Sequence, residues 1–112
     1  MTMANRRRGE IAATIDGQER VLCLTLGALA ELEAAFEVED LAALAQRFST
    51  GRLSARDLTR VVAAGLRGGG AAVSDGDVAT MTTEGGIAGF AAIAVDLLKV
   101  TFGAGDGTRP DP

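Results

Sequence analysis

Histidine, tryptophan and tyrosine are missing altogether from this 112-residue chain, which has one cysteine, two prolines and four phenylalanines. Without histidine it lacks the commonest general acid–base group and the commonest metal ligand of neutral pH. Ser49, Ser54 and Ser74 have no partner base to turn a hydroxyl into a nucleophile, and two of them are better explained as helix caps. The run Gly68-Gly69-Gly70 follows a helical pattern instead of opening one. It has neither the lysine nor the hydroxyl that a phosphate-cradling loop needs. Asp75 and Asp77 open like a calcium loop, but the twelfth position is Gly86, where a bidentate glutamate is required. The pair Glu31/Glu33 falls on a solvated helix surface with no sign of a cleft. No catalytic, cofactor-binding or metal residue is therefore assigned, and a non-enzymatic protein is expected.

Other absences narrow the partners. A formal charge of −4 works against nonspecific nucleic-acid binding, which depends on neutralising phosphates. Asn5-Arg6-Arg7-Arg8 is the one basic cluster. It has no interleaved aromatics and no apolar segment behind it, so residues 1–8 read as a flexible basic tail, neither a nucleic-acid platform nor a signal peptide. The lone thiol, Cys23, cannot close an internal disulfide. It reads as a small hydrophobe in a reducing cytoplasm. No run approaches the roughly 20 apolar residues of a membrane span: in the last apolar stretch Asp96 and Lys99 interrupt.

What is present points to one domain with a modest core. Hydrophobic residues make up 47% of the chain, but many are alanine, so burial rests on selected Leu, Val, Ile and Phe positions. Gly9–Ile15 and Gln18–Leu24 are strand-like, with Asp16-Gly17 between them as a hairpin signal. A two-residue turn pairs Ile15 with Gln18; longer loops pair it with Glu19 or Arg20. Thr25 caps a helix with Leu29, Leu32 and Phe36 on one stripe, and Leu41, Leu44, Ala45 and Phe48 repeat the spacing in a second.

In "LSARDL", Ser54 and Asp57 form a capping box, and Leu53 and Leu58 a hydrophobic staple. Leu58, Val61, Val62, Gly65 and Leu66 continue as one face until Gly68–Gly70 ends the helix as a flexible joint. "VSDGDV" repeats the grammar for a short helix from Asp75 to about Thr82, weakened by Gly76. The last helix, apolar nearly all round from Ile87 to Val95, places Ile87, Phe90, Ala91, Ala94, Leu97, Leu98 and Thr101 inward and reads as the central core helix. The expected fold is α+β and mainly α, a hairpin followed by four or five helices over residues 9–103, with residues 104–112 a disordered tail.

The layout "LTLGALAELEAAF", then "LAALAQRFSTGRLSARDLTRVVAAGLRGGG", then a helix ending "DLLKVTFG" resembles a small family encoded among the tail genes of gene transfer agents and siphophage-like elements. Its members are described as tail assembly chaperones or tail-tube-associated proteins, and the similarity covers about residues 9–103. The resemblance implies a tail assembly chaperone that coats the tape measure protein in the bacterial host cytoplasm until the tube polymerises. The alternative it leaves open is a structural tube or connector subunit retained in the particle. Partners would be the tape measure protein, other tail proteins or a second copy, with neither nucleic acid nor membrane. Phe90, Leu97, Leu98 and Phe102 on the last helix are the candidate contact residues.

Overall fold

The computed structural model describes residues 4–103. A two-stranded antiparallel hairpin, β1 (Glu10–Ile15) and β2 (Gln18–Cys23), leads into five helices: α1 (Leu26–Phe36), α2 (Leu41–Ser49), α3 (Ala55–Gly68), α4 (Asp75–Ala79) and α5 (Gly86–Phe102). The α+β, mainly helical class expected from the sequence is the one observed. The disordered tail expected at 104–112 lies outside the described residues.

Turn chemistry settles the hairpin register. Asp16 and Gly17 both take positive φ, 55° and 77°, the two-residue turn whose twist suits a hairpin, so Ile15 pairs with Gln18 and Ile11 with Leu22. Ile11, Ile15 and Leu22 then all lie in the core. A slip of one residue would turn Leu22 to the opposite face.

Both margins of the hairpin are covered. Beside β1, the Asp16 amide donates to the Thr82 carbonyl at 2.7 Å, and the Asp16 carboxylate accepts from the Thr82 amide at 2.8 Å. The Thr83 hydroxyl donates to the Thr14 carbonyl at 2.6 Å, and Ile15 forms a β-bridge with Thr83. This pairing draws residues 82–83 out of helix, which is why α4 stops at Ala79, short of the expected Thr82. Beside β2, the end of α3 comes so close that a Cβ on Gly68 or Gly69 would overlap the carbonyl oxygen of Cys23 or Val21. Gly68 and Gly69 are thus sites of tight backbone approach, where the sequence suggests a joint, while Gly70 takes a positive φ of 105° in open space.

The expected caps form. The hydroxyl of Thr25 accepts from the Ala28 amide, and complete capping boxes join Ser54 to Asp57 and Ser74 to Asp77. Asp40 caps α2, and Glu37 ends α1 in the left-handed conformation at φ 57°.

The central helix is α3, where the sequence pattern favours α5. It packs against β2, α1, α4 and α5, and Val61 through Leu66 are buried without a break. Gly65 makes room for two core side chains, Leu22 and Leu97. α5 rests on α3 and the hairpin along one side only, so Ile87, expected inward, is 70% exposed. Leu41, expected on the α2 stripe, is also exposed.

Candidate partner-binding surfaces

Several charged side chains hold elements together. The Asp57 carboxylate, 7% exposed, accepts from the Ser54 amide at 3.1 Å and from the Arg47 guanidinium at 3.0 Å. Burial alone would raise its pKa. The hydrogen bonds from Ser54 and Arg47, with the charge of Arg47, outweigh that and hold it below its ordinary value. Arg47 also lies over the rings of Phe36 (5.2 Å) and Phe48 (6.0 Å), which meet edge-to-face with centroids 5.1 Å apart. One guanidinium thereby fastens α2 to both α1 and α3. Arg67 does the same at the far end of α3, donating to Glu31 at 2.7 Å and to Asp75 at 3.2 Å.

Residues 6–8, a flexible tail by sequence, form a 3-10 turn, and Arg6 donates to both carboxylate oxygens of Asp96 on α5 at 3.0 and 2.7 Å. That bidentate bond, with Lys99 nearby, keeps the Asp96 pKa low against partial burial. Both shifted carboxylates are therefore weakened as proton acceptors at neutral pH, the opposite of what a general base requires. Among the described residues no group of three or more His, Cys, Asp or Glu side chains could hold a metal ion. No helix among them is long and apolar enough to cross a membrane.

The remaining features are apolar hollows. One of about 240 Å³ lies between α2 and α5, walled by Ala45, Phe48, Leu53, Val95, Leu98 and Phe102, with Lys99 at its rim. Another, of about 160 Å³, lies between α3, α4 and α5 and includes Leu58, Val62, Met81, Ile87 and Phe90. The four candidate contact residues do not form one surface. Leu98 and Phe102 line the first groove, Phe90 the second, and Leu97, with no exposed surface, fills the core beside Gly65. Sequence reasoning missed Phe48, Leu53 and Val95. The helical spacing of Leu44 and Phe48 was a usable signal for α2, but nothing local says that Val95 turns toward it.

The amino-acid sequence matches a family model over residues 8–104, that of the phage tail tube protein, GTA-gp10. The chain belongs to the phage tail tube protein family GTA-gp10. Neither a curated protein nor a solved structure gives a significant match. Membership in this tail tube family bears out the gene-transfer-agent and phage-tail resemblance and overturns the assembly-chaperone role drawn from it, including the coating of a tape measure protein. Tail tube proteins are structural subunits, which was the alternative. The motifs behind the resemblance are capping boxes, staples and a hairpin turn. These fix a fold, and they carry no information about whether its surface holds a partner transiently or permanently.

Proposed function

We propose that the chain is a non-catalytic structural subunit of the tail of a gene transfer agent or phage-like particle. It is synthesised in the bacterial cytoplasm and stays in the particle, in contact with other tail proteins. The observation that carries this reading is the family match over 97 of the 112 residues, counting 8 through 104 inclusive. It takes in the whole of the hairpin and all five helices, with both apolar grooves. Grooves of this kind, open at the surface and walled by Phe, Leu and Val, suit a protein that gains much of its stability from neighbours.

Purified particles provide the test. Quantitative mass spectrometry is expected to find the chain at a fixed ratio to the other tail proteins across preparations. Its absence from particles that are otherwise complete would overturn the reading.

A further inference from the structure

We propose that residues 5–9 act as a strap that opens and closes as one unit, latched to α5 by Arg6 on Asp96, and that its position controls access to the Cys23 thiol. Such a strap is a property of the chain itself and is independent of the tail-subunit reading.

Polar bonds give the strap its shape. The Asn5 side chain accepts from the Arg7 amide, the Asn5 carbonyl from the Arg8 amide at 2.9 Å, and the Arg6 carbonyl from the Gly9 amide at 3.0 Å. Asn5, Arg6, Arg7, Arg8 and Gly9 bring no apolar side chain, and none of the three arginines is buried. A segment without buried apolar contacts lies at the low end of local stability, so it can come away while the core stays folded. Gly9, at φ 79°, turns the chain from the strap into β1 and is the natural hinge.

The strap is fixed to β1 and to α5. At β1, the Glu10 amide donates to the Asn5 carbonyl at 3.1 Å, and the Glu10 carboxylate accepts from the Asn5 amide at 2.8 Å and lies 3.6 Å from Arg8. These contacts are local in sequence. The bidentate bond of Arg6 with Asp96 instead reaches across 90 positions to the helical layer. Both of its side chains are well exposed, 59% and 42%, so water can replace the bond at little cost.

Cys23 lies under the strap. Its neighbour Leu22 is in the core, so Cys23 points to the outward face of the hairpin, directly across from Glu10. There the half-buried thiol donates to the Arg8 carbonyl at 3.9 Å. Opening the strap takes the Arg8 backbone away from the sulfur and uncovers it. Cys23 is a reporter of the strap, and no ligand is assigned to it.

Alkylation of the full chain by iodoacetamide, a neutral probe, reads the opening, with circular dichroism as the folding control. The Cys23 thiolate displaces iodide more often the longer the strap stands open. Arg6→Ala and Asp96→Ala, both at exposed positions, should react about two- to fivefold faster than the parent chain, the range set by an exposed ion pair. Arg7→Ala removes the same charge from a side chain without an ion pair among the described residues and should match the parent. Combining Arg6→Asp with Asp96→Arg should return the rate toward the parent value.

Amide hydrogen exchange tests the unity of the strap without any substitution. In the parent chain the amides of Arg8, Gly9 and Glu10 should share one opening constant, well above that of the buried α3 segment from Val61 to Leu66. A group on Cys23 that fits only the open strap must in turn favour opening, so the alkylated chain should exchange faster at the same three amides. Equal alkylation of Arg6→Ala and the parent, an equal acceleration in Arg7→Ala, a charge swap that leaves the rate raised, or three unrelated exchange constants would each overturn the proposal.

Discussion

Gly68→Ala adds one methyl group at the last residue of α3, and two opposing effects decide its outcome. Alanine in place of glycine favours helix by about 0.5–1 kcal/mol. Against this, the new Cβ would overlap the Cys23 carbonyl oxygen and lie 3.0 Å from the Cys23 carbonyl carbon. Both obstructing atoms are backbone, so no rotamer change relieves them. Either the end of α3 or the strand must move by on the order of 1 Å to restore ordinary contact distances. Overpacking of this kind costs about 1–3 kcal/mol, and more where the surroundings are rigid. The hairpin is rigid here, because Leu22 on β2 and its partner Ile11 on β1 are fully packed in the core.

A net loss of about 2 kcal/mol is expected, which lowers the melting temperature of a domain this size by about 8–16 °C. The matched control is Gly27→Ala in α1. The nearest atom to its Cβ is the Thr25 hydroxyl at 3.9 Å, ordinary van der Waals contact, so only the helix preference remains. That variant should gain about 0.5 kcal/mol. Thermal and urea unfolding of the two variants beside the parent chain measure the difference in sign. If Gly68→Ala melts at or above the parent temperature, the close approach of α3 to β2 is refuted.

Acidification should destabilise the fold. Asp57 and Asp96 both have folded pKa values below their ordinary 3.8, so the unfolded chain takes up protons first and the stability they supply at neutral pH is lost as pH falls below about 4. Urea midpoints at pH 7, 4 and 3 would show this, and Asp57→Asn should make the dependence shallower. At neutral pH Asp57→Asn should itself cost about 1–2 kcal/mol, since it weakens hydrogen bonds to a charged group whose Arg47 partner is partly solvated. Asp16→Ala should lose about 1–2 kcal/mol, because it removes the acceptor of two Thr82 hydrogen bonds and places a Cβ-bearing residue without a local polar group at positive φ. Asp16→Asn, which keeps an acceptor and tolerates that conformation, should stay close to the parent; equal losses in both variants would refute a stabilising role for the Asp16–Thr82 hydrogen bonds.

Local signals were legible wherever one segment contained its own evidence. The capping boxes at Ser54 and Ser74 and the Thr25 cap depend on residues three apart, and all three formed as read. The hairpin is legible too, although the local pattern allows three registers. What decides it is the positive-φ turn at Asp16-Gly17, which also brings Ile11 and Leu22 together in the core. Features built from distant segments were not legible. The Asp16 side chain reads as a turn former, yet its carboxylate also holds Thr82, 66 positions along the chain. Gly68–Gly70 reads as a flexible stop because glycine looks the same in sequence whether it provides freedom or clearance. The Ile87 spacing predicted burial correctly for Ala94, Leu97 and Leu98 on the same helix. It failed at Ile87, where α5 begins outside the cover of its neighbours. The grooves shared this difficulty: Phe48 and Val95 belong to helices that meet only through the tertiary fold.

The covered margins of the hairpin set an order on folding. The two strands are complete by Cys23, whereas the groups that shield them, Gly68–Gly69 and Thr82–Thr83, come some 45 and 60 positions later in sequence. A chain emerging from the ribosome therefore has its strand segments without their covers for about half of its synthesis, able to pair with strands of neighbouring nascent chains until the later segments arrive. Such a vulnerability belongs to the unfinished chain and disappears from the finished one. Refolding yield should accordingly fall steeply with protein concentration while the native protein, once formed, shows no strand-mediated aggregation at the same concentrations. Equal yields across a hundredfold dilution series (on the order of micromolar to tenths of millimolar) would show that the margins close before chains can meet.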